Sequence, residues 1–203
     1  MLYRLPKLKN VWSNHCQGYV SFPSLRNVSA YDCESLTSMF PASIVKGVLR
    51  DLEQLHISDC GIEVIVAKDQ VSESVTSTFE FPRLTSLELS FLQNLKNFYP
   101  QRHTLEWPQL RQLSIRYCDE IEIFEKEVSS SPEIHEEKST LDSKYLLLSH
   151  DKDIRNLEEL RLDGKGAEMI GSGHFPTYHF PKVKLLDLSV QKATTISGVR
   201  VAW

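Results

Sequence analysis

The chain has 203 residues, of which 41% are apolar and 25% charged, so it can bury a core and is not disordered by composition. Its net charge of −4 lies wholly in residues 125–153, which hold eight acidic and four basic side chains. The charge-balanced remainder argues against a nucleic-acid partner, which needs a clustered basic face. No segment has the ~18 apolar residues of a membrane span, and the N-terminus lacks the apolar run of a secretion signal. We therefore expect a soluble cytoplasmic protein without a membrane partner.

One pattern recurs along the sequence: an apolar residue, two variable residues, an apolar residue, one variable residue and an apolar residue. Its copies start 27, 32, 26, 47 and 26 residues apart, at Leu25, Leu52, Leu84, Leu110, Leu157 and Val183. A period of this size is typical of the leucine-rich repeat, in which each unit buries its apolar face against its neighbours. The pattern predicts a β-rich α/β solenoid, a horseshoe with a concave parallel sheet and an irregular convex side.

The N-terminal residues 1–12 align without a gap with residues 88–99, so the chain starts inside a repeat. The end of a solenoid normally carries an atypical polar repeat that shields the core, and no such cap is visible here. From this we expect the chain to be a fragment of a longer protein.

An aromatic residue followed by proline precedes several of the predicted strands, at Phe22-Pro23, Phe81-Pro82, Trp107-Pro108 and Phe180-Pro181. Proline fixes φ and lacks an N–H, so it suits the turn that enters a strand. The aromatic side chain is expected to cover the core between coils. Residues 42–49 could form a short convex helix, although Gly47 weakens it.

Two segments interrupt or end the repeats. Residues 125–153 add about twenty mostly polar residues to one repeat period, which indicates an extruded loop. Residues 191–203 match no repeat. The predicted organisation is therefore repeats over 1–124, an acidic inserted loop over 125–153, repeats over 154–190 and an irregular tail over 191–203.

Three of the four cysteines occupy one repeat position, three residues after the last apolar residue of the pattern. They are Cys33, Cys60 and Cys118, and Leu92 takes the same position in another repeat. Cysteine at such a position behaves as a small buried apolar group. A disulfide or a metal site is the less supported alternative, because no Cys-x-x-Cys is present and ligands in one column cannot surround an ion.

The assembled pattern is Phe-Pro-x-Leu-x-x-Leu-x-Leu-x-x-Cys/Leu-x-x-Leu-x-x-Phe, present at residues 81–98 and in variants at 40–60 and 107–118. It resembles the leucine-rich repeats of plant disease resistance proteins of the coiled-coil, nucleotide-binding type. The resemblance implies a protein-recognition module whose partner is a pathogen effector, a host guardee or the receptor's own nucleotide-binding domain. The chain has no Gly-x-x-x-x-Gly-Lys-Ser/Thr loop, so nucleotide binding is not carried over. The alternative is the substrate-recognition repeat arm of an F-box ubiquitin ligase.

Placing the strands in register gives columns of outward residues on the concave face. Aromatic and arginine side chains in these columns are not needed for folding and are enriched at interface hot spots. The candidate protein-binding residues are Tyr31, His56, Phe91, Arg116, Tyr117 and Arg161. The alternative is an ordinary solvated sheet face.

The sequence gives little support to catalysis. None of its seven histidines pairs with a nucleophile or a carboxylate at a recognisable spacing. We therefore predict no enzymatic activity, no catalytic residues, no cofactor and no metal site.

Overall fold

The computed structural model describes residues 1–12, 24–47, 49–69, 77–101, 103–121, 123, 156–171, 181–192 and 195–202. The predicted acidic loop at 125–153 lies outside these residues, as do Cys16, Phe22 and Phe180.

Twelve strands, two α-helices and one 3-10 turn are present in the described part of the chain. In chain order they are β1 (Leu2–Tyr3), β2 (Asn27–Cys33), β3 (Ser38–Pro41), α1 (Ala42–Gly47), the 3-10 turn (Leu49–Asp51), β4 (Gln54–Cys60), β5 (Val64–Ala67), β6 (Ser77–Glu80), β7 (Ser86–Ser90), β8 (His103–Glu106), β9 (Gln112–Arg116), β10 (Glu159–Asp163), α2 (Gly164–Gly171), β11 (Leu185–Lys192) and β12 (Thr195–Ala202).

The main sheet has eight strands in the order β1-β2-β4-β7-β9-β10-β11-β12, and every pair from β1 to β11 is parallel. The last apolar residue of each sequence pattern falls in one continuous row across the sheet. That row is Leu2, Ala30, Ile57, Leu89, Ile115, Leu162 and Leu188. The predicted solenoid is therefore confirmed, with successive coils stacked in register.

One continuous core runs behind this sheet. In the central coils the pattern leucines are fully buried, as Leu52, Leu84 and Leu87 show, whereas Leu2 and Leu188 near the two ends are only partly buried. Burying one such side chain stabilises the fold by ~1.5–3 kcal/mol. Stability therefore comes from neighbouring coils covering one another, as a solenoid requires.

A residue with positive φ occupies the same repeat position in six coils, at or next to the carboxyl end of the parallel strand. These residues have φ between 51° and 55°: Arg4, Asp32, Asp59, Phe91, Tyr117 and Gly164. In the last coil this position is Val190, whose β-branched side chain is a poor fit for the left-handed region. There the strand does not turn, and β11 continues to Lys192.

The extended β11 pairs with β12 in an antiparallel register from Leu185↔Ala202 to Lys192↔Thr195. The prediction of an irregular tail over 191–203 is corrected for Thr195–Ala202. A segment that matches no repeat still completes the hydrogen bonds of the last repeat strand, because the continued β11 offers it a full edge.

The convex side has more regular structure than the pattern predicts. Two short parallel sheets, β3-β5 and β6-β8, lie there, and α1 falls in the segment where a short helix was expected. Phe81 and Trp107, from two aromatic-proline pairs, are buried and stacked with centroids 5.4 Å apart and planes at 17°. The aromatic residues of these two coils therefore cover the core between them, as predicted.

The cysteine column forms part of the core. Cys33 and Cys60 are register partners, all three of its thiols are buried, and Leu92 beside them is fully buried. Each sulfhydryl donates to the carbonyl oxygen two residues earlier, at 3.2–3.3 Å. The predicted buried thiol column is confirmed.

Candidate functional site

Two sets of residues lie on the solvent side of the main sheet. The sheet face consists of the outward residues of the strands; one of its rows, fixed by the strand register, is Ser29, His56, Glu88, Ser114, Arg161 and Asp187. The rim consists of the positive-φ turn residues at the carboxyl ends of the strands. Four predicted site residues (Tyr31, His56, Arg116 and Arg161) lie on the sheet face, and Phe91 and Tyr117 lie on the rim.

Tyr31 and His56 pack together on β2 and β4. Their ring centroids are 4.8 Å apart with planes at 58°. His56 Nδ1 lies 3.2 Å from Oε2 of Glu88, which is its partner on β7. Both rings are half-buried. This end of the sheet face is therefore held by contacts across three neighbouring strands.

The two predicted arginines are engaged by carboxylates of the same chain. Arg116 Nη2 lies 2.6 Å from Oδ2 of Asp187, and Arg161 Nη2 lies 2.8 Å from Oε2 of Glu159. Arg116 thus reaches from β9 across β10 to β11. These acidic partners were not among the predicted site residues. Asp187 could have been found from the row assignment, which places it one strand beyond Arg161.

Phe91 and Tyr117 form the most exposed aromatic contact of the site. Their ring centroids are 4.3 Å apart, their planes differ by 11°, and 49% and 38% of the two residues are exposed. The rim also carries Arg4, whose guanidinium lies 5.1 Å from the ring of the exposed Tyr3 and whose Nε lies 3.3 Å from Oδ2 of Asp32. The rim therefore presents ring surface that no core contact requires.

Asp163 fixes the backbone under Tyr117. The Tyr117 amide N–H donates to both carboxylate oxygens of Asp163, at 2.8 and 3.0 Å. Burial raises the pKa of Asp163 above its ordinary value. The sequence prediction missed this residue; the Asp163-Gly164 pair at the end of a strand pattern is the signal that could have found it, because aspartate and glycine favour turns.

Two cysteines of the buried column are poor nucleophiles. Burial raises the pKa of the Cys60 thiol to about 11 and that of Cys118 to about 12, so both stay protonated and unreactive at neutral pH. Within the described ranges no three side chains of His, Cys, Asp or Glu come together in a way that could hold a metal ion. Neither helix of the described part has the length and apolar character of a membrane crossing.

A parallel solenoid sheet with an outward face of this kind is a leucine-rich repeat domain, a class that generally mediates protein–protein interaction and is typically not catalytic. The sequence matches the family model of the leucine-rich repeats of plant disease resistance protein RPS2-like over residues 1–61 and 45–131. The chain belongs to this family, which confirms the resemblance. No curated protein and no solved structure matches it. Nothing in these comparisons supports the F-box alternative.

Proposed function

We propose that this chain is a protein-recognition module of a plant immune receptor, that it acts in the cytoplasm, and that the sheet face and rim contact its ligand. The ligand is a pathogen effector, a host guardee or the receptor's own nucleotide-binding domain. The family supports a role in disease resistance. The contact surface is supported by the stacked Phe91 and Tyr117, which remain exposed although large aromatic side chains gain most from burial.

The residues of this surface fall into two roles. Phe91, Tyr117 and Tyr3 present apolar ring surface to solvent, and aromatic anchors of this kind supply most of the binding energy at protein interfaces. His56 and Arg116 are already paired with carboxylates of the chain. Such pairs fix the shape of the surface and add little net affinity unless the partner rearranges them.

Site-specific photocrosslinking tests this proposal. A photoreactive p-benzoylphenylalanine is placed at Phe91 on the rim and, as a control, at the exposed Glu80 of β6 on the convex side. We expect a discrete protein adduct in plant cells from position 91 and none from position 80. Excess unlabelled wild-type chain should compete for the adduct.

A triple alanine variant at Tyr31, Phe91 and Tyr117, with an unchanged circular dichroism spectrum, should fail to compete. An adduct that forms from position 80 alone, or a triple variant that competes as well as the wild type, would contradict the proposed contact surface.

A further inference from the structure

The ring direction of the rim pair determines which surfaces are open to a ligand. Phe91 and Tyr117 hold the same turn position in neighbouring coils, and neighbouring strands are ~4.8 Å apart. The ring centroids are 4.3 Å apart and the ring planes are nearly parallel. The direction perpendicular to both rings therefore runs from one coil to the next. The outer face of Phe91 is therefore directed towards the coil of Asp59, and the outer face of Tyr117 towards the coil of Gly164. Among the residues whose side chains the structure describes, no aromatic ring or cation contacts either outer face.

Gly164 leaves space beside the outer face of Tyr117. Apart from its chain neighbours and the backbone of its own helix, a Cβ built on Gly164 would meet a single atom within 4 Å: Oδ1 of Asp119 at 3.4 Å. No atom of the Tyr117 ring comes that close. The result is a slot between the Tyr117 ring and the Gly164 backbone, with the Asp119 carboxylate at its edge.

Exposed carboxylates flank the rim pair. Asp59 lies on the Phe91 side, and Asp119 and Glu120 lie on the Tyr117 side. Among the residues whose side chains the structure describes, which do not include Lys165, no cation forms an ion pair with these three carboxylates. The nearest arginine in sequence, Arg116, is turned towards Asp187 on the sheet face.

The opposite edge of the same sheet is arranged differently. At the amino ends of the strands, acids and bases of neighbouring coils pair with one another, at distances of 2.9–3.5 Å between nitrogen and oxygen. The pairs are Arg26–Glu53, Arg83–Asp51, Arg111–Glu158 and Lys184–Glu158. At the rim, by contrast, the exposed carboxylates of Asp59, Asp119 and Glu120 take no part in these pairs.

We propose that the rim binds a basic segment of the protein ligand and that an arginine of that segment enters the slot, stacking on Tyr117 and pairing with Asp119. This inference rests on the proposed recognition function and names the chemistry of its partner. Arginine fits better than lysine because its planar guanidinium can stack on a ring and donate to a carboxylate at the same time.

Peptide binding to the full chain tests the proposal. The probes are fluorescein-labelled dodecapeptides of alternating glycine with arginine, lysine or glutamate, and the readout is fluorescence anisotropy at low and physiological salt. We expect the arginine peptide to bind about threefold more tightly than the lysine peptide, and the glutamate peptide not to bind.

Two rim variants and one matched control locate the binding. Tyr117→Leu and Asp119→Asn should each weaken binding of the arginine peptide about three- to fivefold, the size of one exposed cation–π contact or ion pair. Asp51→Asn removes the same charge at the opposite edge, where Asp51 pairs with Arg83, and should leave binding unchanged. Asp119→Asn changes only an exposed side chain, so its result stands even if Tyr117→Leu disturbs the fold.

Three results would overturn the proposal: equal binding of the arginine and glutamate peptides, equal weakening by Asp51→Asn and Asp119→Asn, or no weakening by either rim variant. The position-91 crosslink separates this failure from failure of the proposed function. If that adduct still forms while the arginine peptide does not bind, the basic partner is wrong and protein recognition stands. If the peptide binds and no adduct forms at position 91, the recognition surface is wrong.

Discussion

Two groups of aromatic side chains on this solenoid both contain a stacked ring pair but differ in how far they are buried. The convex aromatic cluster (Phe79, Phe81, Phe98, Tyr99 and Trp107) is buried, and it contains a stacked pair and several edge-to-face contacts. The rim pair is stacked more closely still but is almost half exposed. Ring geometry alone therefore does not separate residues that hold the fold from residues that are available to a partner. Burial does.

The largest effect that this comparison predicts is at Phe98. Its ring meets Phe81 and Trp107 edge-on, with centroids 5.8 and 5.4 Å away, and it is 1% exposed. Phe98→Ala should lower the free energy of unfolding by ~3–5 kcal/mol, because the cavity cannot close without moving two coils. Urea denaturation followed by circular dichroism measures this. A loss no greater than that of Phe91→Ala would remove the distinction between the two groups.

The next effect concerns the carboxylate beneath the rim pair. Asp163→Ala leaves the Tyr117 amide N–H without its acceptor and should cost ~1–3 kcal/mol of unfolding free energy. Asp163→Asn retains an acceptor oxygen and should lose less. If both variants unfold at the wild-type urea concentration, Asp163 does not hold the rim.

A pH effect is expected at the edge of the convex cluster. Burial lowers the pKa of His103 below its ordinary 6.5, and its ring contacts Phe79, Phe98 and Tyr99. Because the folded pKa is the lower one, the stability linked to His103 is present above about pH 6.5 and is lost as the pH falls through the folded pKa. The thermal midpoint of the wild type should therefore fall between pH 7 and pH 5.

His103→Phe tests this linkage, because it keeps an aromatic ring in the cluster and removes the titrating group. Its thermal midpoint should depend less on pH over the same interval. Equal slopes for wild type and His103→Phe would exclude His103 as the source.

The repeating part of this fold could be predicted because its sequence pattern shows which residues are buried and which face solvent. Leu87 and Leu89 alternate with polar residues, and the same phase recurs in every coil, so the strands, their register and the cysteine column follow from one pattern. The positive φ of the rim residues could not be predicted in the same way. Its positive-φ residues include Asp32, Phe91 and Gly164, which share no chemical type.

For the candidate site, the sequence predicted where the residues lie in the sheet but not which side chains they contact. Columns of outward residues placed Arg116 and Arg161 on the outward face of the sheet, where the register has them. Long side chains can reach several neighbours, so their pairing with Asp187 and Glu159 depends on rotamers that the sequence does not specify. The strand over Thr195–Ala202 was missed because its backbone pairing needs no repeat pattern, only an available edge.

The smallest predicted effect on stability, at Phe91, gives the clearest test of the difference between the two aromatic groups. Phe91→Ala removes one ring of the rim pair, whose partner Tyr117 keeps its backbone held by Asp163. Because almost half of Phe91 is already exposed, the free energy of unfolding should change by only ~0.5 kcal/mol, as for most surface substitutions. The same substitution should abolish competition for the position-91 adduct. A residue whose loss is neutral for folding and severe for binding is an interface anchor, whereas a stability loss near that of Phe98→Ala would make Phe91 part of the core despite its exposure.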